Sequence, residues 1–489
     1  MKEALARDYL MQGLRGLSDQ EKAWTRRQNY LDGDQDLPYA PEGVSAEYQA
    51  LREMSPANYL DIAMKAPIQR MQADGFRTHR DKDADIRTWT EIWQPNKLDA
   101  RQRIVYEQMF VHGRGIMSVS PNPLNRKSPK IRPENAKRVW IEPNPEDPFE
   151  PLFAVKNLAV KKSAQAASGL ILPASMVRET LHVAYVYTAT EWARFEASSP
   201  QATATAWHLA EIGRHNLRTI PFVPFDFNVD ADGVPHPAID KLMPQQDAIN
   251  TIRFNTLLAM QFSAFRQRVF TGYDPVVRDD KGQPLLVTDE KTGKPLLDSN
   301  GLAQPVVRSP GRMGVDRALV FPGEQTKVFD LPESNLDNYV KVLQQFLTDF
   351  FATGQIPPSY ALTKMANLTG DGMAGAESTF QSLIKDIQRA AGEGLESVMR
   401  LANVARNEPH EDPASEVIWA DTEIRSFAQI VDAIGKLITS GMSRQDAWSF
   451  LPSATPPRVA DWVTRSDADR AKADKAVTEL ADRMAYPDA

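Results

Sequence analysis

Two apolar stripes at helical spacing bracket a stretch too rich in Gly and Pro to be helical, and that order limits the folds open to this chain. The first stripe runs through Ile239, Leu242, Met243, Ile249, Phe254, Leu257, Met260 and Ala264. At about 100° per residue these side chains share one face and predict an amphipathic helix of about 28 residues, roughly 40 Å long. Pro244 lies near its start, so the first turn is expected to be separate or kinked. The second stripe, Leu336, Tyr339, Val340, Leu343, Phe346, Leu347, Phe350 and Phe351, follows a Ser334/Asp337 capping pair and stops at Gly354. Between the stripes, residues 271–333 carry "GQPLL" (282–286) and "GKPLL" (293–297), flanked by charged turn residues. This stretch reads as a small β-hairpin insertion with no bulk charge preference.

Before the first stripe the chain changes character once. The first 120 residues read as helices. Ser18 and Glu21 have capping-box spacing, Ser55-Pro56 supplies an N-cap and first-turn proline, and Asp99 caps a helix that Gly113 ends. From 138 to 228, "KRVWIEP", "PLFAVKNLAV", "TLHVAYVYTAT", "EWARFEA" and "IPFVPFDFN" are β-branched and aromatic, and predict an antiparallel β region. Pro221 and Pro224 make the last of these an edge or connecting strand. After Gly354 comes the loop "QIPPSYALTKMANLTGDGMAG", then a long helix from Glu377 to Ala405, in which Gly392 and Gly394 suggest a bend. Helices follow again over 424–438, 443–451 and 466–484. The fold class expected is α+β.

Chemistry has no visible carrier. "NYLDGDQDLPYAP" places Asp32, Asp34 and Asp36 at alternate positions, as a calcium loop does, but position 6 is Leu37 and position 12 is Gly43. Gly33 fits better as a left-handed helix stop. "GDGMAG" (370–375) matches G-x-G-x-x-G without the preceding buried strand that dinucleotide binding needs. The seven histidines are scattered, and no nucleophile elbow, P-loop or carboxylate pair stands out, so no enzyme, cofactor or metal site is expected. With no cysteine there are no disulfides, and no apolar run approaches the roughly 18 residues that span a bilayer. No secretory leader is read, and neither secretion nor membrane anchoring is expected. A net charge of −7 opposes tight general DNA binding. The basic run 126–138 fits either phosphates or an acidic partner, and equally a solvated loop.

The order of these parts resembles the portal proteins of tailed double-stranded-DNA bacteriophages, of the siphophage type found in actinobacterial phages. "NYLDGDQDL", "NYLDIAMKAPIQRMQADGF", "FVHGRGIMSV", "PAIDKLMPQQDAINTIRFNTLL" and "VIWADTEIRSFAQIVDAIGKLI" resemble successive elements of that family. The resemblance implies a ring, usually of twelve subunits, at one capsid vertex of the virion, assembled in the host cytoplasm. It implies a wing (1–235 with 377–408), stem helices (236–270 and 334–355), a clip (271–333), a tunnel loop (356–376) and a helical crown (409–489). The partners implied are other copies of the chain, the large terminase, a head-tail adaptor, and the major capsid and scaffolding proteins. Double-stranded DNA would pass through without sequence-specific contact. In the loop, Lys364, Asn367 and Thr369 would brush the DNA backbone, while Gly370, Gly372 and Gly375 let the loop shift. In the clip, Lys281, Pro284, Leu285, Leu286, Lys294, Pro295 and Leu296 would carry the docking surface. Two rival readings stay open on the residues alone: another virion head component such as a minor capsid protein, and a soluble multidomain enzyme.

Overall fold

Helix pressed on sheet organises the N-terminal half. In the computed structural model, Glu3–Asp32 is one 30-residue helix that ends on Gly33 in the left-handed region (φ 87°). The structure describes residues 1–79, 84–161, 180–199, 203–264, 268–271, 276–289, 292–297, 301–307, 327–330, 336–357, 360, 370–408, 414–420, 422, 427–451, 454 and 456–485. Ser18 lies inside the first helix instead of capping it. Gly13 and Gly16 explain why the helix runs on: a Cβ at Gly13 would stand 2.3 Å from Val155 Cγ2, and one at Gly16 2.4 Å from Trp140 Cε2. These glycines let the helix backbone approach the strands closely, and that packing outweighs their low helix propensity.

The strands are β1 (Ala73–Arg77), β2 (Arg114–Ser120), β3 (Lys130–Glu134), β4 (Val139–Pro143), β5 (Pro151–Lys161), β6 (Thr180–Tyr187), β7 (Glu191–Ala197), β8 (His208–Arg214), β9 (Phe222–Asp226), β10 (Arg268–Thr271), β11 (Lys327–Asp330) and β12 (Glu416–Trp419). β4 to β8 form an antiparallel meander in chain order. Its inner face, with Phe153, Val155, Val186 and Phe195, closes over Ala6 and Leu10 of the first helix. A second sheet runs β3-β2-β9, which leaves β9 at an edge, as its prolines require. Trp24, Ile116, Ile141, Ile220 and Phe222 pack together as a further core.

Two helix starts differ from those expected. Ser55 follows the helix Ala46–Met54, and Asn58 caps the next one, Tyr59–Gln69, by accepting the Asp61 N–H at 3.2 Å. The helix Leu98–His112 begins after Lys97 in the left-handed region, because Asp99 is engaged by Trp93 Nε1 at 2.7 Å and Gln94 Nε2 at 2.9 Å. Near the C-terminus, Ser443 caps Arg444–Trp448, and Pro456–Ala485 is a single helix that starts ten residues before Ser466.

Gly370–Ala405 is one continuous helix. It buries Phe380, Ile384, Ile387, Leu395, Val398 and Ala402, and no break occurs at Gly392 or Gly394. Gly394 serves contact instead, since a Cβ there would lie 2.4 Å from Phe225 Cδ1 on β9. β12 pairs antiparallel with β1 and meets the same helix, where Glu396 is pushed up to about 7 by burial, with the Glu393 carboxylate adding to it. Two compact units divide the chain: 1–38 with 56–250 and 344–489, and 39–55 with 251–343.

The glycine contacts predict opposite signs for two neighbouring substitutions. Gly394→Ala forces Phe225 aside and is expected to destabilise the fold by about 1–3 kcal/mol. Gly392→Ala meets its nearest atom at 3.9 Å and should stabilise the helix by up to about 1 kcal/mol. Thermal unfolding of the two variants checks the pair.

Candidate channel and docking elements

The first amphipathic stripe forms a short 3-10 turn, Ala238–Lys241, and then the helix Met243–Ala264, so its first turn is separate as Pro244 suggested. Its root is held by buried amides. Gln246 and Asn250 are fully buried and Gln35 nearly so. Asn250 Nδ2 donates to Gln35 Oε1 at 2.6 Å, while its Oδ1 accepts from the Ala57 N–H at 3.1 Å and from Gln246 Nε2 at 3.0 Å. Gln246 also donates to the Ala57 carbonyl at 2.6 Å and accepts the Tyr59 N–H at 3.1 Å. Gln35 Nε2 reaches Asn58 Oδ1 at 3.3 Å, and Asn58 Nδ2 reaches the Leu31 carbonyl at 2.7 Å. Each amide is paired, as groups in a low-dielectric interior must be.

The aspartate-rich stretch belongs to this root. Asp36 accepts from the Tyr30 hydroxyl at 3.2 Å, and the same hydroxyl donates to Asp247 at 2.8 Å. Burial pushes the Tyr30 hydroxyl up to about 12 and raises Asp247 above the usual carboxylate range. Asp32 accepts from Gln28 at 2.9 Å. Among the described residues no group of His, Cys, Asp or Glu has metal-site geometry.

The second stripe is fully covered at one end only. In the helix Leu336–Thr353, Leu347, Phe350 and Phe351 are buried, and Gln245 Nε2 meets Thr353 Oγ1 at 3.1 Å. Further up, Val340, Val342 and Phe346 are 48%, 45% and 39% exposed, and Met260 on the other long helix is 50% exposed. Within the smaller unit, the part of the Met243–Ala264 helix from Thr251 on is braced by Tyr48 edge-on to Phe254 at 5.0 Å and by Arg253 Nε donating to the Ser55 carbonyl at 2.8 Å.

The described residues of the insertion form more than one hairpin. β10 and β11 pair antiparallel at its base, Arg268 with Asp330 through Thr271 with Lys327. Beyond them, among the described residues, bridges pair Arg278 with Pro284, Thr288 with Pro295, Leu297 with Ala303, and Leu286 with Pro305. The backbone bonds close into two cycles. Val277 N–H donates to Val306 at 2.9 Å, Val306 to Leu285 at 2.6 Å, and Leu285 to Val277 at 2.8 Å. Val287 donates to Gln304 at 2.9 Å, Gln304 to Leu296 at 2.8 Å, and Leu296 to Val287 at 2.8 Å.

This explains the Gly-x-Pro-Leu-Leu element. Gly282 and Gly293 take the left-handed turn positions (φ 78° and 62°), each proline sits where no N–H is required, and the next residue joins a cycle. Gly301 (φ 77°) with Pro305-Val306 is a third, degenerate copy that the doubled reading missed. Of the expected docking residues, Lys281, Pro284, Leu285, Leu286, Lys294, Pro295 and Leu296 are all exposed, and Leu297 beside them is 61% exposed.

The loop residues divide differently. Lys364, Asn367 and Thr369 lie outside the described residues. Gly370, Gly372 and Gly375 fall in the first two turns of the Gly370–Ala405 helix instead of a loop. Met373, Ala374 and Ala376 favour helix there, and the packed helix propagates back through the glycines.

The described residues thus hold a rooted long helix, an incompletely covered second one and an exposed β insertion. A model of the phage portal protein family, SPP1 Gp6-like, matches residues 18–479, and the chain belongs to that family. The portal protein of Mycobacterium phage D29 is 23% identical over 457 residues, covering 90% of this chain and 83% of that protein. The portal protein of Mycobacterium phage L5 is 22% identical over 442 residues, covering 86% and 80%. The resemblance drawn from ordered motifs therefore holds across most of the chain.

The root predicts a large cost for a small change. Asn250→Ala strands Gln35 Oε1 and the Ala57 N–H, and should destabilise the protein by about 2–4 kcal/mol. Combining it with Gln35→Leu should cost less than the two singles summed, because the partners are lost together. A double-mutant cycle read by thermal unfolding measures this coupling.

Proposed function

We propose that this chain is the repeating subunit of a closed ring at one capsid vertex, the conduit through which double-stranded DNA is packaged and ejected. The observation that carries the reading is the stripe of the Leu336–Thr353 helix, buried at Leu347, Phe350 and Phe351 and half-buried at Leu336, Tyr339 and Leu343, yet exposed at Val340 and Phe346, with Val342 exposed beside it. Side-by-side copies around an axis supply the missing cover, and a head-to-tail contact that closes on itself gives a ring. Twelve copies is the number the family resemblance implies. Residues 1–235 with 377–408 act as wing, 236–270 and 334–355 as stem, 271–333 as clip, 356–376 as the DNA-facing segment and 409–489 as crown. The exposed leucines of the insertion suit docking of the large terminase during packaging and of the head-tail adaptor afterwards. The wing and crown meet capsid and scaffolding proteins.

Passage of DNA favours few fixed phosphate contacts, because each one adds affinity and salt dependence. Residues 359–376 suit this with one Lys, one Asp and three glycines. Neither cofactor nor catalytic residue enters this function.

Two outcomes test the reading. The pair Val342→Asp and Phe346→Asp should leave a folded protein of unchanged helicity that no longer forms rings by native mass measurement and negative-stain imaging. Intact rings from that variant reject the stem assignment. Deleting residues 279–300 should leave rings that fill with DNA poorly and join no tails, as judged by particle yield and infectivity; fully infectious particles reject the docking assignment.

A further inference from the structure

Two loops of like build and opposite charge stand at opposite ends of β2, within one compact unit. The first, "PNPLNRKSP" (121–129), follows the end of β2 at Ser120, and the second, "PNPEDPFEP" (143–151), connects β4 to β5. Each opens Pro-Asn-Pro, and the asparagine closes a turn: Asn122 Oδ1 accepts the Leu124 N–H at 3.2 Å, and Asn144 Oδ1 accepts the Glu146 N–H at 3.1 Å. The first loop is pinned further by Asn122 Nδ2 donating to the Ser128 carbonyl at 2.9 Å and by buried Asn96 donating to the Pro129 carbonyl at 2.8 Å. In the second, the Asn144 N–H donates to the Glu150 carbonyl at 2.7 Å. This loop packs on the turn 230–234, since a Cβ on Gly233 would lie 2.9 Å from Pro148 Cβ. The same turn belongs to the start of β2: the Phe227 N–H donates to the Gly113 carbonyl at 3.0 Å, and a Cβ on Gly113 would lie 3.2 Å from Pro235 Cβ. The seven residues of β2 therefore separate the loops, by about 20 Å of extended strand.

In the first loop Leu124 is 92% exposed, more than any other large apolar side chain among the described residues. Arg126 and Lys127 follow it, Arg132 stands on β3, and all three are exposed; 121–133 holds no Asp or Glu. Glu134, the one acid of the basic run, is already taken by Lys156 at 2.7 Å. In the second loop Phe149 is 68% exposed, and Glu146, Asp147 and Glu150 are exposed with it. Asp232 on the adjoining turn is exposed too, and neither 143–151 nor 227–237 holds a Lys or Arg. We propose that the basic Leu124 loop of one copy docks head-to-tail on the acidic Phe149 loop of a second copy of this chain. The proposal deepens the reading of the chain as a ring subunit and rests on that reading for the association of copies. Charge meets opposite charge, and apolar tip meets apolar tip, only when unlike loops come together; like loops repel. A DNA backbone answers the cations but offers Leu124 nothing apolar. Loops fixed at the two ends of one strand leave a free loop on every joined copy, which is the heterologous contact that generates rings. Both loops are ordered beforehand, so docking costs little conformational freedom.

The chain has no cysteine, so thiols introduced into the full-length protein are the only ones present. With Leu124→Cys and Phe149→Cys together, a mild oxidant is expected to give a ladder of disulfide-linked multimers on a denaturing gel. The two thiols of one copy are too far apart to join each other. Dimers from Leu124→Cys alone place like loops together and overturn the head-to-tail contact. Charge reversal gives a second readout. Arg126→Glu with Lys127→Glu, and separately Glu146→Lys with Glu150→Lys, should each weaken self-association about tenfold by native mass measurement, at unchanged melting temperature. An equimolar mixture of the two reversed proteins should restore association, because each presents the charge that the other lacks. Should a reversal lower the melting temperature, the ladder decides. Rings that form without a ladder, with both reversals assembling as wild type, overturn the contact and leave the ring reading standing. A wild-type chain that stays monomeric at every concentration removes the ring reading and the contact with it. If the basic reversal assembles normally but retains less duplex DNA, the loop meets phosphates and the docking is overturned.

Discussion

Three buried amides, Gln35, Gln246 and Asn250, set the starting position of the Met243–Ala264 helix. Apolar packing alone tolerates a shift of one helix along another, because leucines and phenylalanines can repack at modest cost. A paired amide in the interior does not. Displacing Met243–Ala264 by one residue would strand the Ala57 and Tyr59 N–H groups and two side-chain oxygens, each a penalty of about 1–3 kcal/mol. The register of the helix is therefore set at its root, where polar atoms demand particular partners. That leaves its remaining length free to carry an apolar face.

Close backbone approach is the second device. Gly13 and Gly16 seat the first helix on Val155 and Trp140, and Gly394 seats the 370–405 helix on Phe225. In each case a residue with poor helix propensity stands inside a long helix, and the contact it permits compensates. The same logic explains why neither helix breaks where its composition suggests a break.

Period and punctuation made much of the fold legible. The stripes through Leu242 to Ala264 and Leu336 to Phe351 appear as helices at nearly the predicted limits, and the meander strands fall where β-branched runs were read. Gly33 and Gly113 close their helices in left-handed conformations as expected. The misread starts at Ser18, Ser55 and Asp99 have separate causes: Ser18 lies inside a helix that begins at Glu3, Ser55 yields to another cap, and Asp99 is drawn to neighbours in the preceding turn. Asp99 is engaged by Trp93 and Gln94, and Asn58 takes the capping role. The amide root was not legible, because Gln35, Gln246 and Asn250 are far apart in the chain and each looks like an ordinary polar residue. The third turn of the insertion left a trace in Gly301 and Pro305, though Val306-Val307 in place of Leu-Leu hid the repeat.

The paired strands β10 and β11 bring the two ends of the insertion side by side at Thr271 and Lys327. A polypeptide leaving and re-entering through adjacent strands can grow or shrink with little thermodynamic consequence, since doubling a loop costs only about 0.6 kcal/mol in closure entropy. The two cycles of backbone hydrogen bonds give the inserted piece its own internal order. Its attachment through β10 and β11 therefore does not depend on the length of chain carried between them.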